Sequence, residues 1–210
     1  IPHVLFATEG SLCRSIVDES LLFRSDHTSS FRVADLVFSD FNPDDFFAVR
    51  KFIRQARLKL GVNPDLSSDR RALYSDLEFA NLYFQDRSGS FGVLRNQVGQ
   101  VVGTIGFTKV VGSRGDSGEG RKRVCELKKV YLAEELRGRK IGEEIVLIMM
   151  RRARAMGFQK MILQTNPKLK SAVRLYERIG FERYRTELDN DMTAYYSISL
   201  DQELQLFSDR

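Results

Sequence analysis

The sequence has few of the residues that build metal centres and disulfide frameworks. Its 210 residues include two cysteines, Cys13 and Cys125, and two histidines, His3 and His27. The cysteines are far apart in the chain, and neither belongs to a CxxC motif or a Cys/His cluster. Neither a disulfide scaffold nor a metal site is therefore expected. The histidines belong to no motif, and we interpret them as surface residues.

Long apolar runs and the common nucleotide-binding signatures are also missing. No run approaches the roughly 18 consecutive apolar residues that a transmembrane helix needs, so the sequence predicts a soluble, cytoplasmic protein with no membrane partner. The P-loop pattern GxxxxGK(S/T) is absent, and no GxGxxG follows a predicted strand. These absences argue against a P-loop NTPase and against a dinucleotide-binding domain.

The net charge of +5 does not by itself indicate nucleic acid binding. Basic residues cluster at 121–123 and at 151–154. The second cluster lies in the last turns of a predicted helix, where cations complement the helix dipole. No signature of a nucleic-acid-binding module accompanies either cluster. The sequence therefore favours solvated basic faces, and nucleic acid is not an expected partner.

A basic turn between a predicted strand and a predicted helix is the most informative segment. The strand is predicted over 124–132, and the helix over 141–156 from apolar residues that recur on one helical face. The turn between them contains glycine and three cations: Arg137, Arg139 and Lys140. Such a turn leaves backbone N–H groups unpaired at the positive end of the helix dipole. It predicts an anion site whose occupant is a phosphorylated cofactor.

Two segments resemble motifs of the GNAT superfamily of N-acetyltransferases. Arg137 and Gly142 match the pyrophosphate loop of that family, Q/R-x-x-G-x-G/A, while Lys140 stands where the first glycine of the pattern usually lies. Residues 172–181, AVRLYERIGF, resemble the family's AxxLYExxGF element and follow the loop at the expected distance. The resemblance is specific from residue 124 to residue 181.

The order of predicted elements agrees with the fold that this resemblance implies. A strand over 31–38 precedes a helix that begins after Asn42, and a second helix is predicted over 71–84. The whole chain reads β-α-α-β-β-β-α-β-α-β-β. The expected class is α/β (mixed α+β) with the GNAT fold, a twisted mixed β-sheet with helices on both faces and a V-shaped acetyl-CoA cleft. Residues 1–30 are expected to form an N-terminal extension and residues 31–210 the catalytic domain.

The resemblance also implies acetyl-CoA as cosubstrate and assigns residues to it. Pantetheine would bond to the main chain of Val130, Tyr131 and Leu132. The pyrophosphate would rest on the amides of the turn, which comprises Arg137, Gly138, Arg139, Lys140, Ile141, Gly142 and Glu143. Asn166, after the next predicted strand, would bond the pantetheine amides. A plain loop asparagine is the alternative interpretation of Asn166.

Acetylation of an amine makes three chemical demands. An alkyl amine has a pKa of about 10, so a base must remove a proton at neutral pH. The thioester carbonyl gains negative charge during attack and needs a fixed donor, which the resemblance assigns to the Val130 N–H. An acid near the leaving thiolate favours its departure.

Glu126 and Tyr176 are the candidate catalytic residues. Glu126 is the only carboxylate in the central strand and is the candidate base, acting directly or through a water molecule. A salt bridge to a neighbour such as Lys128 is its alternative role. Tyr176 matches the tyrosine of the family's LYE element and is the candidate acid. Its alternative role is that of a core aromatic residue.

The sequence thus predicts an N-acetyltransferase that moves the acetyl group of acetyl-CoA directly to a primary amine, such as a small amine or an amino acid. Direct transfer is expected because Cys125 has no activating histidine nearby. A protein lysine or N-terminal acetyltransferase and a non-catalytic acyl-CoA-binding domain are the alternatives. The acceptor site is expected near residues 61–70 and 185–193. No metal is expected, and the chain is expected to be a monomer or a homodimer.

Overall fold

The chain folds around one mixed β-sheet. The computed structural model describes residues 30–61, 88–110, 123–184, 186 and 193–201. Within these ranges there are eight strands: β1 (Ser30–Val33), β2 (Leu36–Asp40), β3 (Ser90–Arg95), β4 (Val101–Lys109), β5 (Val124–Leu132), β6 (Lys160–Thr165), β7 (Glu182–Tyr184) and β8 (Ala194–Ser199). The same ranges contain three α-helices: α1 (Phe46–Lys59), α2 (Ile141–Ala155) and α3 (Lys170–Ile179).

The sheet contains one parallel pair of strands near its centre. The strand order is β1-β2-β3-β4-β5-β6-β8-β7. Strands β5 and β6 are parallel, and the other neighbouring pairs are antiparallel. A parallel pair requires a crossover connection, which α2 and its flanking loops supply. The predicted mixed sheet is confirmed.

Helices cover both faces of the sheet, as predicted. Side chains directly opposite each other on neighbouring strands share a face. Val93, Thr104 and Tyr131 are opposite one another on β3, β4 and β5. Helix α1 packs on that face through Val49 and Ile53. Helices α2 and α3 contribute instead to the larger apolar cluster on the other face.

The first predicted strand is two strands in the structure. Ala34 and Asp35 form a two-residue turn, so that Val33 of β1 pairs with Leu36 of β2. Ala34 takes a left-handed φ of 55° to make this turn. The prediction of one strand over 31–38 is therefore wrong. Turns of this kind usually contain glycine or asparagine, and neither residue marks the position in this sequence.

The predicted cap at Asn42 is found at the 3₁₀ turn that precedes α1. The Asp44 N–H donates to Asn42 Oδ1 at 3.1 Å, and the Asn42 N–H donates to Asp45 Oδ2 at 3.0 Å. Pro43–Asp45 forms a short 3₁₀ turn that leads into the helix. This reciprocal arrangement satisfies N–H groups at the helix start, which have no carbonyl partner within the helix.

Several predictions concern residues outside the described ranges. They include the second helix over 71–84, the N-terminal extension up to residue 29, and most of the two segments expected near the acceptor. Among the helices that are described, none is long and apolar enough to cross a membrane.

The parallel pairing between β5 and β6 ends halfway along β5. Pairing of β5 with β6 runs from Val124 to Leu127 and stops there. Two residues later, Lys129 has a φ of 55°, and Lys129 and Val130 together oppose the single residue Ile105 of β4. Such a β-bulge bends its strand and increases the local twist. A V-shaped gap therefore opens beside Val130, between the carboxyl-terminal halves of β5 and β6.

Candidate active site

A cleft of about 830 Å³ lies against the end of β5, at Val130, Tyr131 and Leu132, beyond the residues that pair with β6. The end of β5, the loop before α2, the start of α2, one face of α3 and one face of α1 line this cleft. It brings together most of the predicted site residues: Val130, Tyr131, Leu132, Arg137, Gly138, Lys140, Gly142, Glu143 and Tyr176. Four predicted residues do not line it: Glu126, Arg139, Ile141 and Asn166.

The loop before α2 presents backbone N–H groups to the cleft. Gly138 and Lys140 both have left-handed backbones, with φ of 76° and 61°. Turns of this kind direct successive N–H groups into one concavity that suits an anion. The N–H of Arg137 donates to Glu134 O at 3.1 Å, and that of Glu143 donates to Lys140 O at 2.9 Å. Between these two residues, Gly138, Lys140 and Gly142 line the cleft, and their amides are the candidates for an anion site. The assignment of the amides from Arg137 to Glu143 to a pyrophosphate stays a prediction.

Lys140 adopts the left-handed backbone conformation, which favours glycine. It is the N-cap of α2, with φ 61° and ψ 0°. Lys140 therefore makes a left-handed turn at the position where the family pattern has its first glycine. A non-glycine residue in this region carries strain of about 1–2 kcal/mol. The side chain adds a positive charge beside the concavity in return.

The absence of a side chain at Gly142 suits the close packing of the first turn of α2. A Cβ atom at this position would lie 3.2 Å from both Leu132 Cδ1 and Leu175 Cδ2. The glycine thus lets α2 approach the end of β5 and the side of α3 closely. This close approach holds the helix N-terminus against the cleft, where its dipole favours a phosphate group.

Ion pairs surround the loop. Arg137 Nη1 lies 3.3 Å from Glu134 Oε1, and both side chains are at least half exposed. Arg139 Nη2 lies 2.6 Å from Asp35 Oδ1 in the β1–β2 turn. The hydrogen bond from Arg139 lowers the pKa of the Asp35 carboxyl. Arg139 therefore ties the loop to the edge of the sheet and does not line the cleft.

A further ion pair bridges α2 and α3 at the cleft. Arg178 Nε lies 3.0 Å from Glu143 Oε2, and the Glu143 side chain is only 17% exposed. Both residues line the cleft. Because Glu143 is acidic and lies beside the anion site, its pairing with Arg178 reduces the repulsion that a phosphate would meet there. Arg178 lies inside the LYERIGF segment, but its pairing with Glu143 is not predicted from the sequence.

Tyr176 lies at the wall of the cleft with its ring in the core. It is 6% exposed, and its ring contacts Phe181 edge to face at 5.8 Å between centroids. Burial raises the pKa of the Tyr176 phenol above its usual value, and Tyr131 raises it further. The phenol is therefore protonated at neutral pH, the form that a proton donor requires. Tyr176 thus packs in the core and also lines the cleft.

Glu126 lies deeper along β5 and has an ion-pair partner. Its Oε2 is 3.0 Å from Lys128 Nζ, and both side chains are about three-quarters buried. Glu126 pairs with Thr108 of β4, so it shares the α1 face of the sheet with Tyr131. The alternative of a structural ion pair is thus present in the molecule, and the role of Glu126 as base stays a prediction.

Asn166 stabilises the turn before α3. Its Oδ1 accepts the Lys168 N–H at 2.9 Å, and its main-chain carbonyl accepts the Leu169 N–H at 2.9 Å. This is the loop role that the sequence analysis gives as the alternative. Contact between Asn166 and a cofactor stays a prediction.

A row of polar residues on α1 forms the opposite wall of the cleft. It consists of Lys51, Gln55 and Lys59, spaced four residues apart. Lys59 Nζ also lies 3.5 Å from Glu134 Oε2 in the loop. This row is not predicted from the sequence, since a polar stripe opposite an apolar one is the ordinary pattern of a solvated helix.

No metal site accompanies the cleft in the part of the chain that the structure describes. No group of three or more His, Cys, Asp or Glu residues in those ranges could hold a metal ion. Cys125 is fully buried, and burial raises the pKa of its thiol to about 12. A neutral, buried thiol is a poor nucleophile.

Comparison with known proteins shows the class to which this fold and this cleft belong. Residues 59–181 match the family described as Acetyltransferase (GNAT) family. The chain is 32% identical over 137 residues to the uncharacterized N-acetyltransferase YjgM of Escherichia coli K12, which covers 64% of this chain and 75% of YjgM. It is 28% identical over 131 residues to N-acetyltransferase 8 of Rattus norvegicus, which covers 62% of this chain and 56% of the rat protein.

Solved structures show the same fold. A GNAT-family acetyltransferase from Staphylococcus aureus superposes with a TM-score of 0.64 at 20% identity, covering 79% of this chain and 99% of that one. YncA from Salmonella typhimurium, solved with acetyl-CoA, superposes with a TM-score of 0.56 at 17% identity, covering 81% of this chain and 96% of that one.

These findings agree with the motifs and with the cleft. The chain belongs to the GNAT family of acetyltransferases. It is an acyltransferase that depends on acetyl-CoA, as the sequence predicts.

The left-handed backbone at Lys140 generates a prediction about stability. Lys140→Gly should raise the free energy of unfolding by about 0.5–1 kcal/mol, because relief of the strain exceeds the extra chain entropy that glycine loses on folding. Urea denaturation followed by circular dichroism measures this difference.

Gly138→Ala is the matched control. Gly138 has a φ of +76°, and no atom lies within 4 Å of the position that a Cβ would take. This substitution should cost about 1 kcal/mol through its backbone alone. A Lys140→Gly variant no more stable than the parent protein would contradict the assigned turn.

Proposed function

We propose that this protein transfers the acetyl group of acetyl-CoA directly to a primary amine of a small molecule, such as a simple amine or an amino acid. The observation that carries the proposal is the single cleft that joins three features. These are the amide-rich loop of residues 138–142, the bulged main chain at Val130 and the protonated phenol of Tyr176. The loop would bind the cofactor, and the other two features would supply the main-chain donor and the acid that the reaction requires.

The residues of the cleft fit the cofactor. The loop amides and Lys140 would hold the pyrophosphate, and the close packing at Gly142 fixes them in place. The main chain of Val130, Tyr131 and Leu132 would bond the pantetheine arm, since β5 has no β6 partner beyond Leu127. When bound, acetyl-CoA supplies a thioester whose carbonyl carbon an amine nitrogen can attack.

Proton transfers complete the proposed reaction. The amine loses a proton as its bond to the acetyl carbon forms, and the cofactor sulfur gains one as the C–S bond breaks. Tyr176, protonated at neutral pH, is the proposed donor to the sulfur. Glu126, through water, is the proposed acceptor from the amine. The buried, neutral thiol of Cys125 supports transfer without a covalent enzyme intermediate.

The first test of the proposal is a thermal-shift titration with acetyl-CoA, with dephospho-CoA and ATP as comparison ligands. At one hundred times its dissociation constant, a ligand stabilises the folded state by about 2.7 kcal/mol. We expect a clear shift with acetyl-CoA. No shift at millimolar concentration would remove the assignment of the loop to the pyrophosphate.

A panel of amines, amino acids and lysine peptides then tests the acceptor, with release of free CoA thiol as the readout. We expect release with small amines or amino acids. Release with peptides alone would replace the proposal with a protein acetyltransferase. Binding without release on any acceptor would replace it with a non-catalytic acyl-CoA-binding domain.

Glu126→Gln tests the base. We expect kcat/KM near pH 7 to fall by about 100-fold. The loss should shrink as the pH approaches about 10, since the amine is then deprotonated without help. A pH profile of thiol release measures both effects.

Lys128→Met is the control for the Glu126 substitution, because it breaks the 3.0 Å ion pair and keeps the carboxylate. It should retain most of the activity. If Lys128→Met loses as much activity as Glu126→Gln, the contribution of Glu126 is structural.

Tyr176→Phe tests the acid. We expect kcat to fall by about 100-fold, with little change in the dissociation constant for acetyl-CoA. Because burial raises the pKa of Tyr176, ionisation of this phenol should not reduce kcat until the pH exceeds about 10, the ordinary tyrosine value. Tyr196→Phe removes a buried phenol that does not line the cleft and should leave kcat as it is. Unchanged kcat in Tyr176→Phe would exclude the phenol as the acid.

A further inference from the structure

Thr104 places a hydroxyl group inside the sheet beside the bulge of β5. The residue is 1% exposed and lies on β4 between Val93 of β3 and Tyr131 of β5. A buried hydroxyl costs free energy unless it is hydrogen-bonded, so valine would be the less costly residue at this position if packing alone decided. The Thr104 Oγ1 hydroxyl donates to the main-chain carbonyl of Lys129 at 2.8 Å.

The carbonyl that accepts this bond belongs to the bulge itself. Lys129 has a left-handed φ of 55°, and the ladder between β4 and β5 skips one position there. The peptide plane between Lys129 and Val130 is therefore turned relative to the regular strand. Thr104 supplies a side-chain donor at the point where the regular alternation of ladder bonds is interrupted.

The direction of this carbonyl fixes the direction of the next N–H. No described peptide bond is cis, and across a trans peptide plane the C=O and N–H groups point in opposite directions. Since the Lys129 carbonyl points to Thr104 on β4, the Val130 N–H points away from β4. On that side β5 has lost its pairing with β6, and Val130 lines the cleft.

We propose that Thr104 is a positioning residue for acetyl transfer, holding the Lys129 carbonyl so that the Val130 N–H faces the cleft. This proposal rests on the proposed function, in which that N–H donates to the thioester carbonyl as negative charge develops on it. A donor fixed before the reaction costs no reorganisation when the charge forms. Thr104 touches neither substrate and acts through the peptide plane alone.

Two substitutions separate the hydroxyl from the packing. Thr104→Val keeps the shape and removes the donor, whereas Thr104→Ser keeps the donor in a smaller side chain. We expect kcat to fall by about tenfold or more in Thr104→Val and to recover in Thr104→Ser. Removal of one hydrogen-bond donor to the developing oxyanion lowers kcat by about 100- to 1,000-fold, and a misaligned donor should lose part of that contribution. The dissociation constant for acetyl-CoA should change much less than kcat.

The amide resonance of Val130 gives a readout that does not depend on turnover. CoA lacks the acetyl carbonyl, so the shift difference between the acetyl-CoA and CoA complexes reports the bond to that carbonyl. We expect this difference in the parent protein and in Thr104→Ser, and its loss in Thr104→Val. Thr108→Val removes another buried hydroxyl from the same face of β4, away from the bulge, and should keep the difference.

The outcomes distinguish the two proposals. A Val130 shift difference that persists in Thr104→Val, or a kcat that stays at the parental value, would overturn the role of Thr104. If the parent protein binds acetyl-CoA and acetylates no amine, the proposed function fails, while the Val130 comparison still decides whether Thr104 orients the amide. Thr104→Ala repeats the measurement with a smaller side chain should Thr104→Val fail to fold.

Discussion

Main-chain pairing between two parallel strands cannot continue once one of them bends out of register, and in this protein that constraint acts at the centre of the sheet. Pairing of β5 with β6 ends at Leu127, the bulge at Lys129 follows, and the polar main chain beyond it lies beside an open cleft. Every other feature of the site is placed relative to that gap. The loop before α2 begins where β5 ends, and α3 follows the strand from which β5 has separated.

The loop and the helices form a support that is built largely from backbone geometry. Gly138 and Lys140 have left-handed backbones that turn the chain before α2. The absence of a side chain at Gly142 lets α2 pack closely against Leu132 and Leu175. Charges are arranged around this frame in pairs, so that the anion site has basic groups nearby without a large unbalanced field. The backbone of the loop and the ion pairs around it thus lie at the same end of the cleft.

Much of this arrangement could be predicted from the sequence, and the exceptions share a cause. Helix α2, the Asn42 cap before α1 and the turn before α2 each have a local signature in periodicity, a capping residue or glycine. The β1–β2 turn at Ala34 has no such signature, because alanine gives no sign that it will take a left-handed backbone. The donor role of Thr104 and the ion pair between Arg178 and Glu143 depend on contacts between distant segments, which no local pattern reports.

The packing at Gly142 has a consequence for how variation in this protein is interpreted. The atoms around the missing side chain belong to Leu132 and Leu175, which pack on the core, while the amide of the same residue belongs to the proposed anion site. A substitution there acts on folding and on ligand affinity at once, so a loss-of-function phenotype at this position cannot be attributed to either alone. The cleft and the core therefore meet at Gly142, as they do at Tyr176.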